Sequence, residues 1–155
     1  MRRAVVDASV AVKWAVPEDH SEHALLLLTE GFDLFAPAHW LAEVATTLWA
    51  KTRLRGVLTR EKAAERVEWF RDLGIEETPI HDLIARAMAL SFDLDLTVYD
   101  TLYLALAERL DAPLVSADRK LIERARGDPS LARLSLSLGN LEQTYRDTSS
   151  RTERD

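Results

Sequence analysis

The chain has 155 residues, enough for one domain with a normal hydrophobic core, and its 47% apolar residues with few Gly and Pro argue against disorder. It contains no cysteine, which excludes a disulfide framework and a thiolate metal site, so a metal ion would need oxygen or imidazole ligands. A net charge of −6 disfavours a nucleic-acid binder, unless acids gathered around a metal leave a basic rim such as residues 51–62 or 118–120.

The N-terminus has two arginines before an apolar stretch, as a secretory signal would. Asp7 and Lys13 interrupt this stretch, however, and no cleavage pattern follows. We therefore expect the segment to belong to the folded domain. A membrane span needs about 18 uncharged apolar residues, which no window of the sequence approaches. These features predict a cytoplasmic protein that does not cross a membrane.

The first part of the chain alternates short apolar runs with helical patterns. A short strand ends on Asp7, and the helix that follows it stops at Pro17. Residues 21–31 are predicted to form a helix with Ser21 as its N-cap, and residues 33–37 a second strand. This alternation is typical of an α/β protein.

The middle of the chain is predicted to be mainly helical. Residues 39–56 and 59–74 have the pattern of two helices that pair as a hairpin. A short strand within 75–80 leads to a helix over 81–94, and residues 99–111 form a strongly periodic helix.

The last part of the chain repeats the pattern of the first. A strand over residues 113–118 ends on an acid, as the first strand does, and residues 119–126 form the next helix. Residues 131–138 offer a last edge strand, and the polar residues 147–155 are expected to be a disordered tail.

Short apolar strands alternating with helices predict an α/β fold of three layers, α/β/α. Its short central sheet would be mainly parallel, with about four to five strands. Ligands of such sheets bind outside the carboxyl ends of the strands. Asp7 and Asp118 are predicted to lie there, each directly after an apolar strand.

Two more acids stand out by their context. Glu43 is the only charged residue between Trp40 and Ala50, and it lies opposite the most apolar face of its helix. A half-buried carboxylate there would be costly unless it were paired or bound to a metal. Asp100 opens the helix that follows the residues LTVY, where helix capping is an equally ordinary role for a single acid. Capping, turn formation or pairing with arginine remain alternatives for each of the four acids taken singly.

Taken together, the four acids fit a hard divalent cation. Mg²⁺ or Mn²⁺ takes carboxylate and water ligands and keeps open positions for phosphate oxygens. Such a site can polarise a phosphodiester and activate a water. Ser9 and Ser116, each two residues from an acid, could orient a carboxylate or act as ordinary turn and cap residues.

Three stretches of the sequence resemble the PIN-domain family, and within it the VapC-like toxins of type II toxin-antitoxin systems. These stretches read VVDASVAVKW, APAHWLAEVATTLW and LTVYDTLYLALAERLDAPLVSADRKL. The resemblance implies a PIN domain over residues 1–146. It matches the family's four acids to Asp7, Glu43, Asp100 and Asp118 as catalytic, metal-binding residues.

The resemblance also implies a metal-dependent ribonuclease that uses Mg²⁺ or Mn²⁺, cuts RNA, forms a homodimer and is silenced by a VapB-like antitoxin. The sequence departs from the family where Ser116 stands for a usual Thr and where Asp95 stands for a usual Gly. Asp95 could alter its loop or add charge beside the site.

Basic residues near the predicted site are candidates for RNA binding. They are Lys13, Arg53, Arg55, Arg119 and Lys120. Those near the end of the helix over 39–56 could equally keep that helix soluble. His20 and His23 are interpreted as a surface pair rather than metal ligands, and His39 and His81 as turn or cap residues.

Two other functions compete with the ribonuclease. An interaction module could use the acidic pocket to dock a basic partner peptide without turnover. A metal-dependent phosphatase could use a similar sheet edge, but its second acid, two residues after the first, is replaced here by Ser9.

Overall fold

A computed structural model describes residues 2–144. Its centre is a five-stranded parallel sheet. The strands are β1 (Arg2–Val6), β2 (Phe32–Pro37), β3 (Glu76–Thr78), β4 (Leu114–Ser116) and β5 (Ser135–Ser137). Their order across the sheet is β3-β2-β1-β4-β5, so the chain first moves outward from β1 in one direction and then crosses to the other side.

Helices connect all the strands. The α-helices that lie wholly within the described residues are α1 (Ala8–Ala15), α2 (Ser21–Thr29), α3 (Trp40–Arg55), α4 (Arg60–Arg71), α5 (Ile84–Leu94), α6 (Val98–Leu110), α7 (Arg119–Arg126) and α8 (Pro129–Ala132). Short 3₁₀ turns lie at Ile80–Asp82 and Leu138–Asn140.

The helices form two layers around the sheet. The connections through α1–α4 lead from β1 to β2 and on to β3 at one edge of the sheet. Those through α5–α8 lead in the opposite direction, from β3 across to β4 and then to β5. Because crossovers between parallel strands are right-handed, the two sets cover opposite faces. The predicted α/β/α architecture with a parallel sheet is confirmed, and α3 packs against α4 as the predicted hairpin.

The helix α6 runs through the core. Every residue from Thr101 to Ala107 is buried, and α6 contacts β1, β2 and β4. The sequence predicted a strongly periodic helix over residues 99–111. In the structure the buried part of this helix is apolar nearly all round, because it is covered on all sides. Tyr103 is fully buried in the same segment. The helix that carries Asp100 is therefore firmly anchored.

Some predicted boundaries were wrong. Ser21 is not the N-cap of α2: His20 takes that position, and the Ser21 hydroxyl instead accepts a hydrogen bond from the Glu18 backbone N–H at 2.8 Å. The last edge strand is shorter than predicted, because Leu131 and Ala132 belong to α8. No helix in the described part of the chain is long and apolar enough to cross a membrane. The predicted tail, residues 147–155, lies outside the described residues.

Candidate active site

All four acids predicted from the sequence line one cavity of about 780 Å³. Asp7 follows β1 and is the N-cap residue of α1, and Asp118 is the N-cap residue of α7, just after β4. Glu43 lies in the first turn of α3, and Asp100 in the first turn of α6. The cavity therefore lies at the carboxyl edge of the sheet, where the sequence placed the candidate site.

The register of the central strands brings the two strand-end acids together. Val6 of β1 is paired with Val115 of β4, and the Asp7 backbone N–H donates to Val115 O at 3.2 Å. Ser116, the residue after Val115, therefore lies beside Asp7. Asp118 follows two residues later, after the chain has left the sheet.

Two serine hydroxyls hold one oxygen of Asp7. Ser116 Oγ donates to Asp7 Oδ2 at 2.6 Å, and Ser9 Oγ donates to the same oxygen at 2.7 Å. The hydroxyls also accept backbone N–H groups, Ser9 from Ala117 at 3.1 Å and Ser116 from Asp118 at 2.9 Å. These serines orient the carboxylate and tie the loop after β4 to the start of α1.

Burial raises the pKa of Asp7 from 3.8 to about 6. The hydrogen bonds from Ser116 and Ser9 lower this pKa, and the charges of Glu43 and Asp100 raise it further. The burial effect is larger than the others because an ionised carboxylate loses its hydration in the interior. Without a cation, the ionised form of Asp7 is therefore disfavoured in the folded chain.

Asp100 also has a raised pKa. Burial is the main cause, the hydrogen bond from Thr97 opposes it, the charges of Asp118 and Glu43 add to it, and Lys120 lowers it. Thr97, not Asp100, is the N-cap of α6: its Oγ1 accepts from the Asp100 N–H at 3.3 Å and donates to Asp100 Oδ2 at 2.9 Å. The capping alternative for Asp100 thus holds in part, because the side chain joins the cap while it lines the cavity.

The capping alternative also applies to Asp118. Its Oδ1 accepts a hydrogen bond from the backbone N–H of Leu121 at 3.1 Å and so caps α7. Asp7, in contrast, occupies the N-cap position of α1 without a side-chain capping bond. One acid can serve a helix and a site together, because a carboxylate has two oxygens.

Glu43 has two partners that the sequence analysis missed. Tyr103 Oη donates to Glu43 Oε1 at 2.6 Å. His39 Nε2 lies 3.0 Å from the same oxygen and 3.1 Å from Tyr99 O. Both neighbours of Nε2 are acceptors, so this nitrogen carries the hydrogen. The i,i+4 spacing from His39 to Glu43 was the one sequence signal that could have revealed the contact between these two residues.

The prediction that His39 is a turn or cap residue was incomplete. It occupies the N-cap position of α3 but makes no capping hydrogen bond, and its side chain is only 7% exposed. Tyr103 is held as a proton donor, because burial and the charges of Asp7 and Glu43 raise its pKa above the ordinary value. His39 and Tyr103 therefore fix Glu43 from the same side.

The donor set fits a hard divalent cation. Five carboxylates line the cavity: the four predicted acids and Glu18, which is paired with Lys13 and Lys51. His39 is the one imidazole among the lining residues, and its Nε2 is directed to Glu43 and to Tyr99 O. Within residues 2–144, no three His, Asp or Glu side chains are already gathered closely enough to enclose an ion. Burial is the main cause of the raised pKa values of Asp7 and Asp100, and the charges of the neighbouring acids add to both, so a bound cation would be favoured here.

The five candidates for RNA binding occupy different surroundings. Lys13 lines the cavity beside the acids. Arg53 instead lines a separate apolar cavity between α3 and α4, and Arg55 is exposed at the end of α3. Arg119 is 89% exposed and paired with Glu123 at 2.7 Å, while Lys120 is exposed next to Asp118. Of the five, only Lys13 lines the cavity.

Asp95 and three of the histidines, which the sequence analysis did not assign to the site, lie outside the cavity. Asp95 takes the left-handed conformation with φ +52°, which glycine adopts without strain, and contacts Arg124 at 3.3 Å outside the cavity. The rings of His20 and His23 contact each other edge to face, and neither lines the cavity. His81 is exposed and close to Asp82.

The sequence of the chain matches the PIN domain family over residues 4–127. It belongs to the PIN-domain family. This PIN domain is 34% identical over 122 residues to ribonuclease VapC3 of Pyrobaculum aerophilum, a match covering 77% of this chain and 92% of that protein. The resemblance inferred from the sequence motifs is thereby confirmed.

Solved structures share the fold of this PIN domain. PAE2754 from Pyrobaculum aerophilum has 20% identity and a TM-score of 0.64, over 90% of this chain and 92% of that one. VapC20 of Mycobacterium tuberculosis, a sarcin-ricin loop cleaving toxin, has 15% identity and a TM-score of 0.59, over 76% and 92% of the two chains. VapBC2 from Rickettsia felis, bound to a DNA fragment from its promoter, has 15% identity and a TM-score of 0.60, over 87% and 96%.

Proposed function

We propose that this PIN-domain protein is a metal-dependent endoribonuclease toxin of the VapC type that acts on RNA in the cytoplasm. One observation carries the proposal. The four acids that match the family motif line a single cavity, in a chain 34% identical to a protein named as a ribonuclease. The sequence of the RNA target depends on surface contacts that the cavity does not define.

Asp7, Glu43, Asp100 and Asp118 would hold Mg²⁺ or Mn²⁺. When bound, such a cation polarises the scissile phosphodiester and makes a water more acidic. The chain's own residues prepare the ligands: Ser9 and Ser116 both donate to Oδ2 of Asp7, so Oδ1 would be the oxygen left to bind the cation.

The same arrangement occurs at Glu43. Tyr103 and His39 occupy Oε1, so Oε2 would be the oxygen left to bind the cation. Orientation by such outer partners usually strengthens metal binding. No side chain needs to act as the nucleophile in this proposal.

The proposed partners are a VapB-like antitoxin and a second copy of the chain. A similar fold solved as VapBC2 supports the antitoxin. On α5, the side chains of Ile84, Met88 and Phe92 recur every four residues and are 40%, 47% and 82% exposed. A regular apolar stripe of this kind is typical of an interface, and we propose that it lies between the two copies.

The test is cleavage of total RNA and tRNA by the purified chain, free of antitoxin, in Mg²⁺, Mn²⁺ or EDTA. Asp7→Ala and Asp100→Asn are the site variants, and Asp19→Asn, an exposed acid outside the cavity, is the matched control. We expect discrete fragments only with metal, for the wild type and Asp19→Asn alone.

Other results would point to the competing functions. Binding of Mn²⁺ by calorimetry without any RNA cleavage would favour the interaction module. Turnover of a small phosphomonoester with intact RNA would favour the phosphatase. Either result would reject the ribonuclease.

A further inference from the structure

Two lysines meet around one glutamate in the same cavity as the four acids. Lys51 Nζ donates a hydrogen bond to Glu18 Oε1, and Lys13 Nζ lies 3.4 Å from Glu18 Oε2. The side chains of Lys13, Lys51 and Glu18 are only 12%, 17% and 27% exposed. Lysines are rarely so covered unless they are paired, and here two cations share one anion. The cluster carries a net positive charge beside an acidic site.

The helices α1 and α3 each have one of the acids at their N-terminal end and one of the lysines farther along. α1 begins directly after its N-cap residue, Asp7, and carries Lys13 six residues later, about 9 Å along its axis. α3 carries Glu43 in its first turn and Lys51 eight residues later, about 12 Å along its axis. Thr47, midway between them on the same side of α3, also lines the cavity. A continuous wall therefore leads from carboxylates to lysines.

The turn that carries Glu18 has hydrogen bonds of its own, which do not involve the lysines. The backbone of Glu18 is already fixed by Ser21, since the Glu18 N–H donates to Ser21 Oγ at 2.8 Å and the Ser21 N–H donates to Glu18 O at 3.1 Å. The turn after Pro17 thus holds without the lysines. What Glu18 adds is an anion that keeps the two ammonium groups together despite their repulsion.

We propose that Lys13 and Lys51 form a phosphate-binding subsite for the RNA backbone, and that Glu18 holds this subsite in the free protein until a phosphate displaces it. The inference rests on the proposed function. An RNA strand carries phosphates at regular intervals, so one phosphate can lie at the acids while another reaches the lysines. Ammonium groups bind phosphate as point charges and need no fixed fork geometry.

The first test measures RNA binding without turnover, by fluorescence anisotropy of a labelled unstructured oligoribonucleotide in EDTA across a range of salt concentrations. Lys13→Met and Lys51→Met keep the apolar stem and remove the charge. Each should weaken binding about tenfold and reduce the slope of log K against log salt by about 0.7. Arg133→Met, just before β5 and 66% exposed, lies outside the cavity and should leave both values unchanged.

The second test separates this subsite from the chemistry. In the Mg²⁺ cleavage assay, Lys13→Met and Lys51→Met should raise KM and leave kcat near the wild-type value, because the lost contact lies away from the scissile bond. Glu18→Gln removes the competing anion and should tighten RNA binding. A purely structural ion pair predicts unchanged or weaker RNA binding for that variant instead.

The outcomes distinguish the two proposals. If the wild type cleaves RNA but both lysine variants keep its salt slope and KM, the subsite is wrong and the ribonuclease stands. If the wild type neither binds nor cleaves RNA, the proposed function fails and the subsite fails with it.

Discussion

The burial of Asp7 predicts that neutralising this one side chain stabilises the metal-free protein while it abolishes cleavage. A pKa moved from 3.8 to about 6 corresponds to about 3 kcal/mol between the two protonation states. Asp7→Asn keeps the shape and an acceptor for the Ser9 and Ser116 hydroxyls. We therefore expect the variant to be about 3 kcal/mol more stable than the wild type at neutral pH.

The sign of the pH dependence follows from the direction of this pKa change. Below pH 3.8 Asp7 is protonated in the folded and the unfolded chain, so its ionisation costs nothing. Between pH 3.8 and about 6 the folded chain binds its proton more tightly, and the free energy of unfolding falls as the pH rises. Above pH 6 the full cost is present and constant. Asp7→Asn lacks this contribution.

The assay is urea unfolding in EDTA at a series of pH values, for the wild type, Asp7→Asn and the control Asp19→Asn. The difference between the wild type and Asp7→Asn should grow from pH 4 to pH 6 and then level off. The difference between the wild type and Asp19→Asn should stay flat. Saturating Mg²⁺ should stabilise the wild type more than Asp7→Asn, because only the wild type keeps the full ligand set. Parallel curves for the wild type and Asp7→Asn would refute the reasoning.

Three further predictions concern the surroundings of the acids and the proposed dimer. Tyr103→Phe removes the hydrogen-bond donor to Glu43 Oε1, and a hydrogen bond to a charged group is worth about 2 kcal/mol. We therefore expect kcat/KM to fall by more than tenfold and calorimetry to show weaker Mn²⁺ binding. Unchanged Mn²⁺ affinity would contradict the positioning role of Tyr103. Thr97→Ala removes the cap of α6 and should lower the free energy of unfolding in urea by about 1 kcal/mol. Thr97→Ser keeps a capping hydroxyl and should retain most of that stability. Phe92→Glu places a charge on the exposed stripe of α5 and should give a folded monomer in light scattering at concentrations where the wild type is dimeric; a dimer that survives this change would place the interface elsewhere.

The sequence predicts the acids of the site better than their partners. Asp7 and Asp118 are visible because each follows an apolar strand, and parallel strands bring their carboxyl ends to one edge. Glu43 is visible as a single charge in an apolar helix. Such signals are local, because strand ends and helix faces depend on neighbouring residues. The α/β/α fold is predictable for the same reason.

The partners depend on contacts that no local pattern contains. Tyr103 is 60 residues from Glu43, and in the sequence it resembles any other core residue of a buried helix. Lys51 has the position of a lysine that complements a helix dipole, and only the folded chain brings it to Glu18. Arg53 and Arg55 look equally basic in the sequence, yet neither lines the cavity. Here side-chain direction decides the role, and it depends on helix packing.

The stability of the metal-free protein and the affinity of the site for a cation have a common physical origin. The fold holds Asp7 buried and within electrostatic range of Glu43 and Asp100, which raises its pKa and disfavours the ionised form. A divalent cation would relieve both the lost hydration and the repulsion. The free energy that these two effects cost the metal-free protein is therefore regained when the cation binds to the folded chain. Variants that stabilise the metal-free chain by removing this charge should therefore bind the cation more weakly. Stability gained outside the cavity should leave cation binding unchanged.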